Sequence, residues 1–195
     1  MNALIESPRP SWARKAALFI LLAALGGAAG FAAATVTDGL LTRWEDEMAV
    51  VMSIILIGTG LISAFVVATR PSTVPRGCGL LQVTVMLLAG IMFLLPVFGS
   101  AWASAEVVMG IVLILLALQS AANLMLWRAA DEMLRRIMSE TSAMAFWALQ
   151  LGLFVYAAAE RLGLVQSVSA WGLMGLLMGV YFISSMIAAA RRGIH

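Results

Sequence analysis

Between its charged residues the chain runs through six long stretches of Leu, Ala, Ile, Val, Gly and Met: Ala16–Thr37, Met48–Thr69, Leu80–Phe98, Val107–Trp127, Thr141–Ala159 and Ser169–Ala190. Each is close to the ~20 residues that an α-helix needs to cross roughly 30 Å of hydrocarbon. A membrane β-barrel would instead alternate apolar and polar positions in segments of about ten residues, and the chain has no such segments. The pattern predicts an all-α, polytopic membrane protein. It divides into an N-terminal tail (1–15), a bundle of six transmembrane helices (16–190) and a C-terminal tail (191–195).

Composition agrees. Of 195 residues, 63% are hydrophobic and 11% charged, and mean hydropathy is +1.01. Soluble domains are about a quarter charged, so this chain lacks the polar surface to cover a water-soluble core. Charge then sets the orientation. With the N-terminus in the cytoplasm, the inner segments contain Arg9, Arg14, Lys15, Arg70, Arg76, Arg128, Arg135, Arg136, Arg191 and Arg192, and the outer ones only Arg43 and Arg161. Short loops rich in Lys and Arg stay inside, which predicts an N-in, C-in protein. These bases are dispersed over separate segments and form no single basic face, so nucleic acid is not an expected partner. Membrane lipids are. Trp12, Trp44, Trp102, Trp127 and Trp171 fall at helix ends, where an amphipathic ring suits the headgroup layer. Trp147 falls inside the fifth span and is expected to pack on a neighbouring helix. The first span follows Arg14-Lys15 as a signal peptide would, but it is long enough to cross the bilayer and reads as a retained helix.

Two short stretches resemble each other: Arg43-Trp-Glu-Asp-Glu-Met48 and Arg128-Ala-Ala-Asp-Glu-Met133. Each precedes the second helix of a three-helix half. Two odd-numbered halves would lie in opposite orientations, a 3+3 inverted repeat of the kind found in secondary transporters. Short matches of this sort also arise by chance.

The stretch from Trp127 to Glu140 holds six of the chain's charges. On a helix, Asp131–Arg135, Glu132–Arg136 and Arg136–Glu140 are i,i+4 pairs, while Leu134, Ile137, Met138 and Thr141 share another face. This predicts a short amphipathic helix near the headgroups that leads into the fifth span and anchors its topology. The functional reading is a docking surface: Asp131, Glu132, Arg135, Arg136 and Glu140 offered to an anionic ligand or a cytoplasmic partner. Glu140 stands where the span begins, and a carboxylate at that depth is paired or functional. The pattern Asp131-Glu132-x-x-Arg135-Arg136-Ile137, followed by Trp171 and Arg191-Arg192, resembles that of small uncharacterised bacterial inner-membrane proteins. The resemblance covers about the last third of the chain and implies that location, with no activity or site attached.

Much chemistry is missing. The sole histidine is His195 and the sole cysteine Cys78, so the bundle has no imidazole general base and no His or Cys set for zinc, haem or an iron–sulfur cluster. No phosphate-binding glycine loop is present. The span serines Ser53, Ser63, Ser184 and Ser185 lack a nearby base and read as helix contacts. No enzyme activity and no cofactor are expected.

The spans do contain polar residues: Gln82 and Thr84, Gln119 and Asn123, and Gln150. The four amides read either as interhelical hydrogen-bonding groups or as the lining of a polar path. Gly26 and Gly30, and Gly175 and Gly179, form GxxxG pairs that let helix backbones approach closely, within the chain or against another copy. Acids predominate on the outer face, a pattern that suits a cation-attracting mouth or a face that topology leaves without bases. Two functions follow. The preferred one is a non-enzymatic accessory or interaction subunit that packs on another membrane protein or on itself. The alternative is a small transporter or channel for a polar or cationic solute, with its path past Gln82, Gln119, Asn123 and Gln150.

Overall fold

The computed structural model describes Gly30, Thr35, Leu41, residues 43–69 and residues 78–191. The chain forms two compact units, Met1–Leu40 and Leu41–His195; in the first, Gly30 and Thr35 are helical. Gly26, Trp12 and most of the first predicted span lie outside the described residues.

The second unit contains five helices long and apolar enough to cross a membrane among the described residues: α1 (Trp44–Thr69), α2 (Cys78–Phe98), α3 (Ala105–Ala129), α4 (Glu132–Arg161) and α5 (Ala170–Arg191). They correspond to the second through sixth predicted spans. The chain is an all-α, multi-pass membrane protein. A single 3₁₀ turn, Gly99–Ala101, carries the chain from α2 to α3.

The largest difference from expectation is α4. No separate amphipathic helix precedes it: the charged stretch forms its first turns, and the helix runs unbroken for 30 residues. Asp131 explains where it starts. Extended at φ −70°, ψ 174°, Asp131 accepts a 2.7 Å hydrogen bond from the Leu134 N–H, an N-cap that satisfies a donor the first turn leaves open. Gly163 explains where it stops. At φ +73° it takes the left-handed conformation, and the Leu164 N–H turns back to the Ala159 carbonyl, closing the C-terminus as glycine commonly does.

Packing follows the order α3–α2–α1–α5–α4, each helix resting on the next. The two end helices of that order, α3 and α4, are consecutive in sequence and joined by Ala130 and Asp131, yet they do not pack along their lengths. The core lies between α1 and α2, where Ala49, Leu56, Ala89 and Phe93 are buried together and Trp171 and Met178 of α5 close over them. Small residues make this approach feasible. Ser53, fully buried, donates a 2.8 Å hydrogen bond to the Gly90 carbonyl across the α1–α2 contact. A Cβ on Gly90 would stand 2.5 Å from Ile57 Cγ1. Lipid offers no hydrophobic drive for helix association, so close backbone approach and interhelical hydrogen bonds supply it.

The glycine expectation is met at Gly175 and misplaced at its partner. A Cβ on Gly175 would lie 2.7 Å from Met48 Sδ, and one on Gly172 would meet Glu45 and Trp44 at 3.0 Å, whereas one on Gly179 or Gly30 would meet nothing within 4 Å. The α1–α5 contact therefore uses Gly172 and Gly175, an i,i+3 pair. Trp171 stacks obliquely on Phe93, centroids 5.6 Å apart. Trp147 departs from expectation: it is 61% exposed, and its ring contact is with its own neighbour Phe146.

Candidate functional site

Five helices converge on one cavity of about 1100 Å³. It lies at the end of the bundle where α3 turns into α4, and it exists because those two helices line the same space without filling it. From α2 come Gln82, Met86 and Ala89, from α3 Gln119, Asn123 and Trp127, and from α4 Asp131, Ile137 and Thr141. From α5 come Met178, Tyr181 and Ser185, and Leu56 of α1 also lines the space. Three of the four amides singled out in sequence thus face one space. No hydrogen bond joins them to another described residue; Gln82 and Gln119 are half-buried and Asn123 is exposed.

Gln150 does not belong with them. It is exposed on α4 and absent from the lining. At ~3.6 residues per turn it stands about two and a half turns beyond Thr141, on the opposite face of the helix. Thr84 also departs from the expected buried path: it is exposed and donates to the Leu80 carbonyl of its own helix at 2.8 Å. The face predicted for the charged stretch is correct. Leu134, Ile137, Met138 and Thr141 all line the cavity, with Ile137 and Thr141 buried.

The charged residues of that stretch are arranged differently from the expected ladder of i,i+4 pairs. Between described residues the ion pair is Arg43–Glu45, at 3.6 Å. Arg135 instead reaches back over the turn. Its Nε donates to the Trp127 carbonyl and its Nη2 to the Arg128 carbonyl, both at 3.1 Å. The last carbonyls of α3, which lack intrahelical donors, are thereby capped by a side chain of α4, while Asp131 caps α4 itself. Asp131 and Arg135 are both committed to the turn. Glu132 and Arg136 are exposed on the outside of α4, and Glu140 is half-buried and engaged. The five residues form no common cluster.

Among the described residues the cavity does not continue along the bundle axis between α1, α2 and α5. Beyond it the Ala49–Leu56–Ala89–Phe93 core closes the space between α1, α2 and α5. A smaller cavity near the opposite end, about 350 Å³, is lined by Pro96, Val108, Val112 and Trp171. It carries no amide or charge. No group of three metal-ligating side chains occurs among the described residues. Of the acids that the sequence assigns to an outer face, Glu45 is buried in the α1–α5 contact.

Sequence reasoning missed Cys78, Tyr181 and Ser185 as cavity residues. Cys78 is 1% exposed at the start of α2, and nothing in its surroundings along the chain marks it. Tyr181 and Ser185 are one helical turn apart, a spacing that would have placed them on one face of α5. Compared with protein-family models, with curated proteins and with solved structures, the chain shows no match.

Proposed function

We propose that this chain is a small carrier of the bacterial inner membrane that holds a solute in the cavity between α2, α3, α4 and α5. The observation that carries the reading is the convergence of Gln82, Gln119 and Asn123 on one space of ligand size. Binding sites are typically ~300–1,000 Å³ clefts with an apolar lining and a few placed polar groups, and this cavity is of that kind. Amides placed only to join helices would each face a different contact. The closed core beyond the cavity favours a carrier with one side open over a channel. The N-in, C-in orientation, drawn from the ten bases on the cytoplasmic side, would put the open side in the cytoplasm. The chain's own residues would act by binding and orienting, without catalysis or a cofactor.

The test is a thermal-unfolding screen of the purified protein against solute libraries, repeated on Gln119→Leu/Asn123→Leu. A ligand present at 100 times its Kd stabilises by about 2.7 kcal/mol. The expected result is at least one compound that stabilises the parent and not the variant. If every stabilising compound acts equally on both, the cavity is not the site.

The accessory-subunit reading retains one supporting observation. The outward face of α4 carries Phe146, Trp147, Leu151, Phe154 and Val155, all well exposed, and α4 rests mainly on α5. Gentle extraction from the native membrane, with sizing and mass spectrometry of what co-purifies, would detect a partner or a second copy seated there.

A further inference from the structure

We infer that the ligand of this cavity is a neutral-headed amphiphile: one aliphatic chain carrying an uncharged, hydrogen-bonding head. The inference rests on the cavity being a solute site and specifies what that site selects.

Charge excludes the other classes. Among the described residues that line the space none is Lys or Arg, so these residues offer an anionic head no guanidinium or ammonium to pair with. One carboxylate does line it, that of Asp131, but it is exposed at the turn and accepts the Leu134 N–H at the start of α4. The positive end of that helix already offsets its charge. A charged head deeper in the cavity would therefore stand unpaired in a low-dielectric space, which is strongly unfavourable. Amides, by contrast, both donate and accept, and Gln82, Gln119 and Asn123 suit an equally ambivalent partner such as a hydroxyl or amide, while Ser185, whose hydroxyl donates to the Phe182 carbonyl, can only accept.

Polarity is graded with depth. Counted from the helix ends at the α3–α4 turn, the polar lining extends inward as far as Gln119 and Tyr181. The lining residues further in are Leu56, Ala89, Leu177 and Met178, all apolar. A molecule with a polar head and an apolar tail matches this gradient in one orientation only, head toward the turn and tail toward the bilayer centre. A small polar solute would leave the inner part empty, and a plain hydrocarbon would leave the amides unpaired. Four methionines (Met86, Met133, Met138 and Met178) line the walls; their unbranched, polarizable side chains adapt to a flexible chain.

The experiment uses the full chain in phosphatidylcholine nanodiscs and three photoactivatable probes of equal chain length, with the label next to the head. One is a monoacylglycerol, one a fatty carboxylate and one a trimethylammonium amphiphile. Cross-linked peptides are mapped by mass spectrometry. The monoacylglycerol is expected to label the α2 and α3 segments around Gln82 and Gln119–Asn123 at least ~10-fold more than either charged probe, equivalent to about 1.4 kcal/mol of discrimination. Labelling should fall about tenfold in Gln119→Leu/Asn123→Leu and be retained in Asn123→Gln, a variant that keeps the amide; comparable melting curves for all three chains separate lost binding from lost folding. Equal or stronger labelling of the cavity by a charged probe overturns the ligand class and leaves the carrier reading intact. So does a water-soluble compound that stabilises the parent through Gln119 and Asn123 while the monoacylglycerol fails to label. If no probe labels the cavity and no compound depends on those amides, both inferences fall.

Discussion

The α1–α2–α5 contact and the α3–α4 pair solve the same problem in opposite ways. Around Ser53, Gly90, Gly172 and Gly175 the helices come close enough for backbone to meet side chain, and the polar groups find partners across the contact. Between α3 and α4 the described tie is at their shared turn, where Arg135 reaches the last carbonyls of α3, and the amides facing the intervening space have no hydrogen-bond partner among the described residues. In a membrane, small residues bring helices together and let polar side chains hydrogen-bond across the contact. The contrast separates a packed scaffold from the proposed site: in the tight region the Ser53 hydroxyl is already bonded to a neighbouring helix, and in the loose one the amides are not.

That division can be broken most severely at Gly90. Gly90→Leu places a side chain where Ile57 and the Ser53 carbonyl already stand and should abolish the fold, read as aggregation on sizing in mild detergent. Gly90→Ala, an overpacking change of one methyl, should cost about 1–3 kcal/mol in a denaturation series. If Gly90→Leu yields a well-behaved protein, the α1–α2 contact is not the scaffold. The turn comes next. Asp131→Ala removes an N-cap and should cost about 1 kcal/mol, whereas Asp131→Asn should cost little; equal losses would mean the residue acts through its charge. Ser53→Ala removes one interhelical hydrogen bond, for which membrane proteins average about 0.6 kcal/mol, and the small size of that effect beside Gly90→Ala would show packing to outweigh hydrogen bonding in the scaffold. Smallest of all, Trp147→Leu on the outward face of α4 should leave stability within about 0.5 kcal/mol, as surface substitutions do. A large loss there would show that α4 is covered by a partner.

What could be read from the sequence follows from what each signal depends on. The runs between charges located all five described helices, because the length and apolarity of a span are local properties set by bilayer thickness. The inward face of α4 was legible too, since Leu134, Ile137, Met138 and Thr141 repeat at helical spacing. Gln150 could have been excluded by continuing that register, and was retained because depth in the span was weighed without direction around it. The Ser53–Gly90 bond was not legible: it joins positions on two helices whose rotation about each other no single-helix spacing encodes. The use of Gly172 in place of Gly179 is not legible for a related reason, as i,i+3 and i,i+4 partners share a face and only the neighbour decides which is used. Arg135 was assigned to Asp131 by spacing alone, whereas the unsatisfied carbonyls ending α3 compete for the same guanidinium. The two stretches that resemble each other also fold differently. Arg43 stands just before α1, but Arg128 is in the last turn of α3.

The length of α4 has a consequence for the whole molecule. Thirty residues make a rod of roughly 45 Å, well beyond the ~30 Å of hydrocarbon that a span must cross. The apolar part of that rod, Thr141–Ala159, is by itself about 28 Å long, so the surplus is the charged first turns, Glu132–Glu140. Those turns also form a wall of the cavity, through Met133, Leu134, Ile137 and Met138. Charged turns beyond the hydrocarbon stand among the lipid heads, so that wall belongs to the level where heads and water meet and not to the bilayer's interior.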